Sequence, residues 1–258
     1  MTNTDKIKRA FGRSAGSYER FGTLQREVSA RLVREFTPFD GSPQRALDIG
    51  CGTGFTSTDM KKRWPTADIH PLDLALPMAK RTHAAGFIKS VAGDASSLPY
   101  AEALFDVAVS SLALQWGSDY ERIFSEVSRT LKPGGLFSFS ALLPGTLREL
   151  RGAYDSASRE CTGKGANFPS FASIEEMTAP LETGGFRNLS IHAESVVKSY
   201  STVEEMMRTL KGIGATNPAR PENPPRRDVL ARTMEFYPGR NGHVEATYEI
   251  SYISCVKG

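Results

Sequence analysis

The spacing of hydrophobic positions changes along this chain. Near the start, Ile7, Phe11 and Ala15, then Phe21, Leu24, Val28, Leu32 and Phe36, recur three or four residues apart, which marks one face of a helix. Gly12, Ser14, Gly16 and Ser17 interrupt the stripe. The pattern therefore predicts helix over 5–36, short at first, broken near Tyr18, then longer. Pro38, Gly41 and Pro43 follow as a linker. Next, short apolar runs alternate with helical spacing. Strands are predicted ending at Arg45-Ala46-Leu47 and over 67–74, 87–92, 105–111 and 136–142, with helices from Phe55 to Arg63 and over 77–84 and 120–131. Ser118 and Asp119 are placed to cap the last of these helices, and Lys132-Pro133-Gly134-Gly135 to stop it. Such alternation predicts an α/β fold with a parallel, doubly wound sheet.

Beyond 142 the pattern differs. Helices are predicted over 146–161 and 174–183, with a polar loop at 163–171 between them. Two long alternating stretches, 186–200 and 243–256, read as strands. Between them lies an insertion, 201–242, with helical spacing at 203–210 and 226–236 and a proline-rich stretch from Pro218 to Pro225. The expected organisation is an N-terminal helical segment, 1–40, and one domain over 41–258 that carries the insertion. The first segment either packs on the domain or folds over a ligand as a lid that brings Tyr18 to the reacting group.

Composition narrows the class. The 258 residues are 40% hydrophobic and 24% charged, ordinary for a globular protein. A formal charge of +3 is too small to imply nucleic acid but suits a mildly basic surface facing an acidic partner. Lys198, Arg208, Lys211, Arg220, Arg226 and Arg227 gather around the insertion. Cys51, Cys161 and Cys255 offer no disulfide framework and no metal-ligand spacing. No apolar run reaches the length of a membrane span, and the charged opening MTNTDKIKRAFG lacks the apolar centre of a secretion signal. A reducing cytoplasm is the expectation, with no membrane, nucleic acid or metal.

The chemistry centres on Leu47-Asp48-Ile49-Gly50-Cys51-Gly52-Thr53-Gly54, at a strand-to-helix turn. Glycine there permits positive φ and close approach of a ligand to the backbone. The spacing is G-x-G-x-G rather than the G-x-G-x-x-G of dinucleotide sites. Asp48 would repel a pyrophosphate but attract a cation. Asp73 closes the second strand at the distance where an acid meets a ribose diol. Asp94, at the end of the third strand, either accepts from an adenine amino group or caps a turn.

These motifs, with Phe105 to Trp116 (FDVAVSSLALQW) and Leu131-Lys132-Pro133-Gly134-Gly135, occur in the order found in class I S-adenosylmethionine-dependent methyltransferases, which the chain resembles. The flanks resemble a narrower family, the malonyl-acyl-carrier-protein O-methyltransferases that begin pimeloyl assembly for biotin. The matching pieces are Phe11-x-Arg13-x-Ala15-x-Ser17-Tyr18, Leu24-Gln25, Leu114-Gln115-Trp116, Pro144-Gly145-Thr146-Leu147-Arg148-Glu149-Leu150-Arg151, LKGIGA from Leu210 to Ala215, and Thr247-Tyr248-Glu249-Ile250. The chain departs from the family at Pro71, within the second strand, and at Leu76-Pro77, where Pro-Gly is usual.

The resemblance implies a Rossmann-like, mostly parallel seven-stranded sheet with an antiparallel C-terminal hairpin, an N-terminal helical lid and the small helical insertion. It implies methyl transfer from S-adenosylmethionine to the free carboxylate of malonyl-acyl carrier protein or malonyl-CoA. The implied cofactor residues are Asp48, Gly50, Cys51, Gly52, Gly54, Asp73, Leu74, Asp94, Ala95, Ser111 and Gln115. The implied catalytic residues are Tyr18, Arg148 and Arg151; one of the two arginines, Arg148 in preference to Arg151, is expected to hold the malonyl carboxylate with Tyr18. The basic insertion is the expected dock for the acidic carrier. Fold alone does not set the substrate, so another small acid, a quinone-like ring carbon, or a cofactor-binding regulator without turnover are the alternatives.

Overall fold

The computed structural model describes residues 3–117, 119–166, 170–215, 226–240 and 243–258. It opens with α1 (Asn3–Ser14), the single turn α2 (Tyr18–Phe21) and α3 (Thr23–Glu35). The breaks fall where glycine and serine interrupt the apolar stripe, and α3 buries Leu24, Val28, Leu32 and Val33 on one face. The alternating region follows as β1 (Arg45–Ile49), α4 (Phe55–Arg63), β2 (Asp68–Asp73), α5 (Leu76–Ala84), β3 (Val91–Ala92), β4 (Phe105–Ser111), α6 (Tyr120–Thr130) and β5 (Leu131–Leu142). The remainder is α7 (Arg148–Thr162), α8 (Ile174–Thr183), β6 (Phe186–Tyr200), α9 (Val203–Gly212), α10 (Arg227–Phe236), β7 (Gly239–Arg240) and β8 (His243–Lys257).

The sheet runs β3-β2-β1-β4-β5-β8-β6, with the two-residue β7 pairing β8. The first five strands along this path are parallel; β8 is antiparallel to both β5 and β6. This is the doubly wound sheet that the sequence pattern predicts, with the antiparallel C-terminal pair that the resemblance implies. Helices cover both faces, as parallel strands require. Leu32 of α3 and Met60 of α4 pack on one face, Phe124 of α6 and Met177 and Leu181 of α8 on the other. Each of these side chains is fully buried, which stabilises the fold by roughly 1.5–3 kcal/mol apiece. The order reverses between β1 and β4, and the carboxyl ends of strands at such a switch point are where open α/β sheets hold ligands.

Two local differences have physical causes. β3 is much shorter than the predicted 87–92. In β2 the Asp73 carbonyl accepts from Gly93 on the β3 side, so residues 71 and 73 both present their backbone groups to β3. Pro71 has no N–H to give, and the β2–β3 ladder begins only at Leu72. Residues 86–90 form turns instead, and Ile88 is left exposed. At the other end of the sheet, Lys132 to Gly135 ends α6 as expected but is continuous with β5, bulging between the Leu131 and Leu136 pairings with Gly134 at φ +74°. Asp119 caps α6 by accepting from the Arg122 amide at 2.9 Å. Its predicted companion Ser118 lies outside the described residues, as do Arg220, Gly242, residues 167–169 of the polar loop and the whole proline-rich stretch from Pro218 to Pro225. Among the described residues no helix is long and apolar enough to cross a membrane.

Candidate active site

A cleft of about 1030 Å³, counting its open mouth, lies over the carboxyl ends of β1, β2, β3 and β4. Its floor is the glycine turn. The Gly50 and Cys51 amides both donate to the Leu72 carbonyl, at 2.7 and 3.0 Å, which leans the turn onto β2. Gly50 has φ +74°, and a Cβ there would stand 2.2 Å from the Ala113 Cβ. Only glycine lets the end of β1 approach the segment after β4 so closely. Gly52, at φ +55°, faces the Tyr18 ring. Gly54, at φ +98°, starts α4 behind the cleft and faces Thr82.

Asp73 joins the floor to the second strand. One carboxylate oxygen accepts from the Gly52 amide at 2.9 Å, the other from the Ala75 amide at 2.7 Å. Each oxygen keeps a lone pair for a ligand. Burial pushes its pKa up to about 6, against the pull of those two amides. Asp94 accepts from the Ser96 amide and hydroxyl with one oxygen; the other bonds no described residue. Both readings of Asp94 are therefore open at once, a turn cap on one oxygen and a ligand acceptor on the other. Leu74, Ala95 and Ser111 also line the cleft.

The roof comes from the N-terminal helices. Thr4, Ile7 and Phe11 of α1 and Tyr18 of α2 line the cleft. The Phe11 ring meets the Trp116 ring edge-on at 5.5 Å. Burial, then the charges of Asp73 and Cys51, raise the Tyr18 pKa well above the ordinary phenol value. Tyr18 is thus a neutral hydroxyl at all working pH, a hydrogen-bond donor rather than a base.

Other expected residues sit elsewhere. Asp48 is fully buried and does not line the cleft; Ser57 of α4 donates to one of its oxygens at 2.5 Å, and the other has no partner among the described residues. Cys51 is buried beneath the turn, its sulfur 3.6 Å from the Thr82 hydroxyl, a packing position. Gln115 turns its amide back to the Leu112 carbonyl, because the 3-10 turn Leu114–Trp116 points Leu114 and Trp116 into the cleft instead. Arg148 lies outside the lining: it pairs with Glu249 at 2.7 Å and Glu149 at 3.5 Å, with 57% of its side chain exposed. Arg151 also lies outside the lining, but its guanidinium stands 6.0 Å from the Phe171 ring, which meets the cleft-lining Trp116 at 6.2 Å. Burial lowers its pKa.

The cleft-lining residues Ile7, Phe11, Met78 and Trp116 were not among the expected site residues. Their apolar spacing is that of ordinary core packing. Only the Phe-x-Arg-x-Ala-x-Ser-Tyr and Leu-Gln-Trp motifs mark Phe11 and Trp116 as more than that.

A glycine-floored cleft at the switch point, lined by the carboxylates of Asp73, Asp94 and Asp119 and by apolar walls, suits a cationic nucleoside. These are the fold and site of a class I S-adenosylmethionine-dependent methyltransferase. A family model described as "Methyltransferase domain" matches residues 47–139. The malonyl-[acyl-carrier protein] O-methyltransferase of Methylovorus sp. (strain MP688) is 35% identical over 96% of this chain and 86% of its own. The biotin biosynthesis bifunctional protein BioHC of Teredinibacter turnerae is 34% identical over 96% of this chain and 46% of its own. A solved structure, Haemonchus contortus phosphoethanolamine N-methyltransferase 2 with phosphomonomethylethanolamine and S-adenosylhomocysteine, aligns with a TM-score of 0.62 at 17% identity, over 100% of this chain and 60% of that one. The chain belongs to the malonyl-[acyl-carrier protein] O-methyltransferase family.

S-adenosylmethionine is the cofactor, and the residues present fit it. Asp73 and Asp94 retain acceptor capacity, Gly50 and Gly52 leave the floor free of side chains, and Leu74, Met78, Leu114 and Ile123 supply apolar walls. Among the described residues no group of three or more His, Cys, Asp or Glu side chains is placed to hold a metal ion.

Asp48 gives a pH prediction. Burial pushes its pKa up to about 7, against the Ser57 hydrogen bond. A carboxyl whose folded pKa is raised stabilises the fold below its unfolded pKa, near 3.8, and loses that contribution as pH rises through the folded value. A difference of one between the folded and unfolded pKa is worth about 1.4 kcal/mol. In urea unfolding of the cofactor-free protein, Asp48→Asn will be more stable than wild type at pH 8 by roughly a few kcal/mol, and the gap will shrink at pH 5. Parallel pH dependences in the two proteins would contradict this.

Proposed function

We propose that the protein transfers a methyl group from S-adenosylmethionine to the free carboxylate of a malonyl thioester on acyl carrier protein, forming the methyl ester that primes pimeloyl synthesis for biotin. Family membership over nearly the whole chain supports the substrate, and the bifunctional relative's name supports the pathway. One observation carries the acceptor class. The titratable side chains lining the cleft are Tyr18, Asp73, Asp94 and Asp119, and burial keeps Tyr18 protonated. Among the described residues the lining carries no His, Lys or Cys; Asp73 and Asp94 are assigned to the cofactor and Asp119 caps α6, so no lining group is left over as a base for an amine or a ring carbon. A carboxylate needs none, because it is ionised at neutral pH.

When bound, the cofactor supplies a methyl already activated by its sulfonium. The chain's own work is positioning and exclusion of water. The roof of Ile7, Phe11 and Tyr18 acts as the lid that keeps water out. Tyr18 donates its hydroxyl to the acceptor carboxylate. Arg151, rather than Arg148, supplies the cationic partner. Its partial burial beside Phe171 and Trp116 supports this, whereas Arg148 is exposed and neutralised by two glutamates. The three cysteines are free thiols, in keeping with a reducing cytoplasm.

The carrier docks on the insertion. Lys198 pairs with Glu27 and Arg226 with Asp228. Arg208, Lys211 and Arg227 are exposed and make no ion pair with described residues, so they are the cations left for an acidic protein. Reversing Arg208 and Lys211 to Glu will raise KM for malonyl-carrier about tenfold at low salt, the loss of a kcal/mol or so in steering and contact, while KM for malonyl-CoA changes little. Carrier kinetics that ignore both salt and these charges would remove the dock from the insertion.

The acceptor assignment is tested by offering malonyl-carrier, malonyl-CoA, aconitate and a quinone-like ring acceptor side by side. Turnover of the malonyl thioesters alone is expected. Preference for aconitate or the ring acceptor would overturn the reading.

A further inference from the structure

A second cavity lies beside the cleft, against the same one-turn helix. Tyr18, at one end of α2, lines the cleft; Phe21, at the other, lines this cavity. The space is about 300 Å³ with its mouth, and its other walls include Gln25 of α3, Lys198 and Tyr200 of β6, Thr209 of α9 and Tyr248 of β8. Tyr248 lies just past Ile250, which pairs with the last residue of β5, so the cavity opens at the same carboxyl edge of the sheet as the cleft. The Phe21 wall is packed hard against the insertion: a Cβ at Gly212 would stand 2.2 Å from the Phe21 ring.

Its polar groups are unevenly satisfied. The Tyr200 and Tyr248 hydroxyls bond each other at 3.2 Å. The Gln25 side-chain oxygen is buried without a partner, and its amide forms no hydrogen bond with any described residue. An orphaned buried carbonyl oxygen is costly, and one lining a cavity is matched by a ligand that brings a donor. Nothing in the methyl-transfer site uses Gln25, although it belongs to the Leu24-Gln25 motif.

The acceptor's delivery poses the complementary problem. Under the reading of the preceding section, the malonyl group rides on a protein too large to enter a cleft roofed by α1 and α2. It must arrive on a slender arm passing between the roof and the body. The second cavity lies where such an arm would run: it separates α2 and α3 from the hairpin, and its rim carries Lys198 while α9 carries Arg208 and Lys211.

We propose that this cavity is the access channel for the amide-bearing thioester arm of the carrier-bound substrate, with the Gln25 side-chain oxygen accepting an amide N–H of that arm. The inference rests on the carrier-thioester reading. Two acceptors test it: malonyl-CoA, whose arm has amides, and the S-methyl thioester of malonic acid, which has none. Gln25→Met keeps the side-chain length and removes the acceptor. It will raise KM for malonyl-CoA about tenfold, the value of one such hydrogen bond, leaving kcat and all kinetics with the S-methyl thioester unchanged. Thr209→Trp, which fills the cavity, will abolish use of malonyl-CoA and spare the S-methyl thioester. Calorimetric affinity for S-adenosylmethionine, unchanged in both variants, reports that the fold is intact. An unaltered KM for malonyl-CoA in Gln25→Met, or equal losses with both acceptors, would overturn the channel alone. Failure of the wild-type protein to methylate either thioester would overturn the carrier reading and the channel with it.

Discussion

Gly50→Ala abolishes measurable cofactor binding at ordinary concentrations, and Gly52→Ala does not. Both glycines have positive φ, so alanine at either site carries a backbone strain of about 1–2 kcal/mol. They differ in what the new methyl meets. At Gly52 the nearest atom is the Tyr18 ring at 3.6 Å, an ordinary contact. At Gly50 it is the Ala113 Cβ at 2.2 Å, far inside the roughly 3.5–4.0 Å at which carbon atoms rest. Relief requires the end of β1 and the segment after β4 to move apart, and these are the floor and one wall of the cleft. The expected loss of affinity is at least about 100-fold for Gly50→Ala and about tenfold for Gly52→Ala, from roughly 1.4 kcal/mol per decade. Titration calorimetry with S-adenosylhomocysteine checks both. Equal losses would mean that backbone strain, not close approach, is what glycine relieves at Gly50.

Arg151→Ala is the second large effect, and Arg148→Ala its control. Removing one partner of a desolvated charge pair costs roughly 2–5 kcal/mol, so kcat/KM for a malonyl thioester should fall at least about 30-fold, by the same conversion. Cofactor affinity should hold, since Arg151 does not line the cleft. Arg148 is largely exposed and its ion pairs with Glu249 and Glu149 are worth about 0–1 kcal/mol; its loss should change kcat/KM by less than about fivefold. Steady-state kinetics on both variants decide the matter. A crippled Arg148→Ala with a healthy Arg151→Ala would return the role to Arg148, and near-normal activity in both would remove the arginine clamp.

The two arginines mark the boundary of what the sequence reveals. They lie three apart and share a nominal helix face. What distinguishes them is Glu249, 101 positions away and hydrogen-bonded to Arg148, and local spacing carries no trace of it. The glycine turn was legible because its requirement is local: positive φ at three positions beside a strand end. Asp73 was legible because a parallel βαβ unit of ordinary length brings the second strand's end back to that turn. Strand β4, helix α8 and strand β6 occupy the predicted residues because each is a distinct local pattern, a nearly continuous apolar run for β4, helical spacing for α8 and long alternation for β6. Asp48 shares the motif but faces α4, since strand residues alternate sides and nothing in the motif says which side holds the ligand. Gln115 and Trp116 differ by one position, less than the phase of a short 3-10 turn that no pattern announces. Ile7 and Met78 were invisible as site residues because an apolar side chain buried by a ligand has the same spacing as one buried by protein.

The central claim is methylation of a carboxylate on a carrier-borne malonyl group. Intact-mass measurement of malonyl-carrier after incubation with the enzyme and methyl-labelled S-adenosylmethionine tests it most directly. One labelled methyl per carrier is expected, removable by an esterase and absent when the carrier bears an acetyl group instead. Label on an acetyl-carrier, label that resists ester hydrolysis, or an unmodified malonyl-carrier under conditions where the cofactor binds would contradict it.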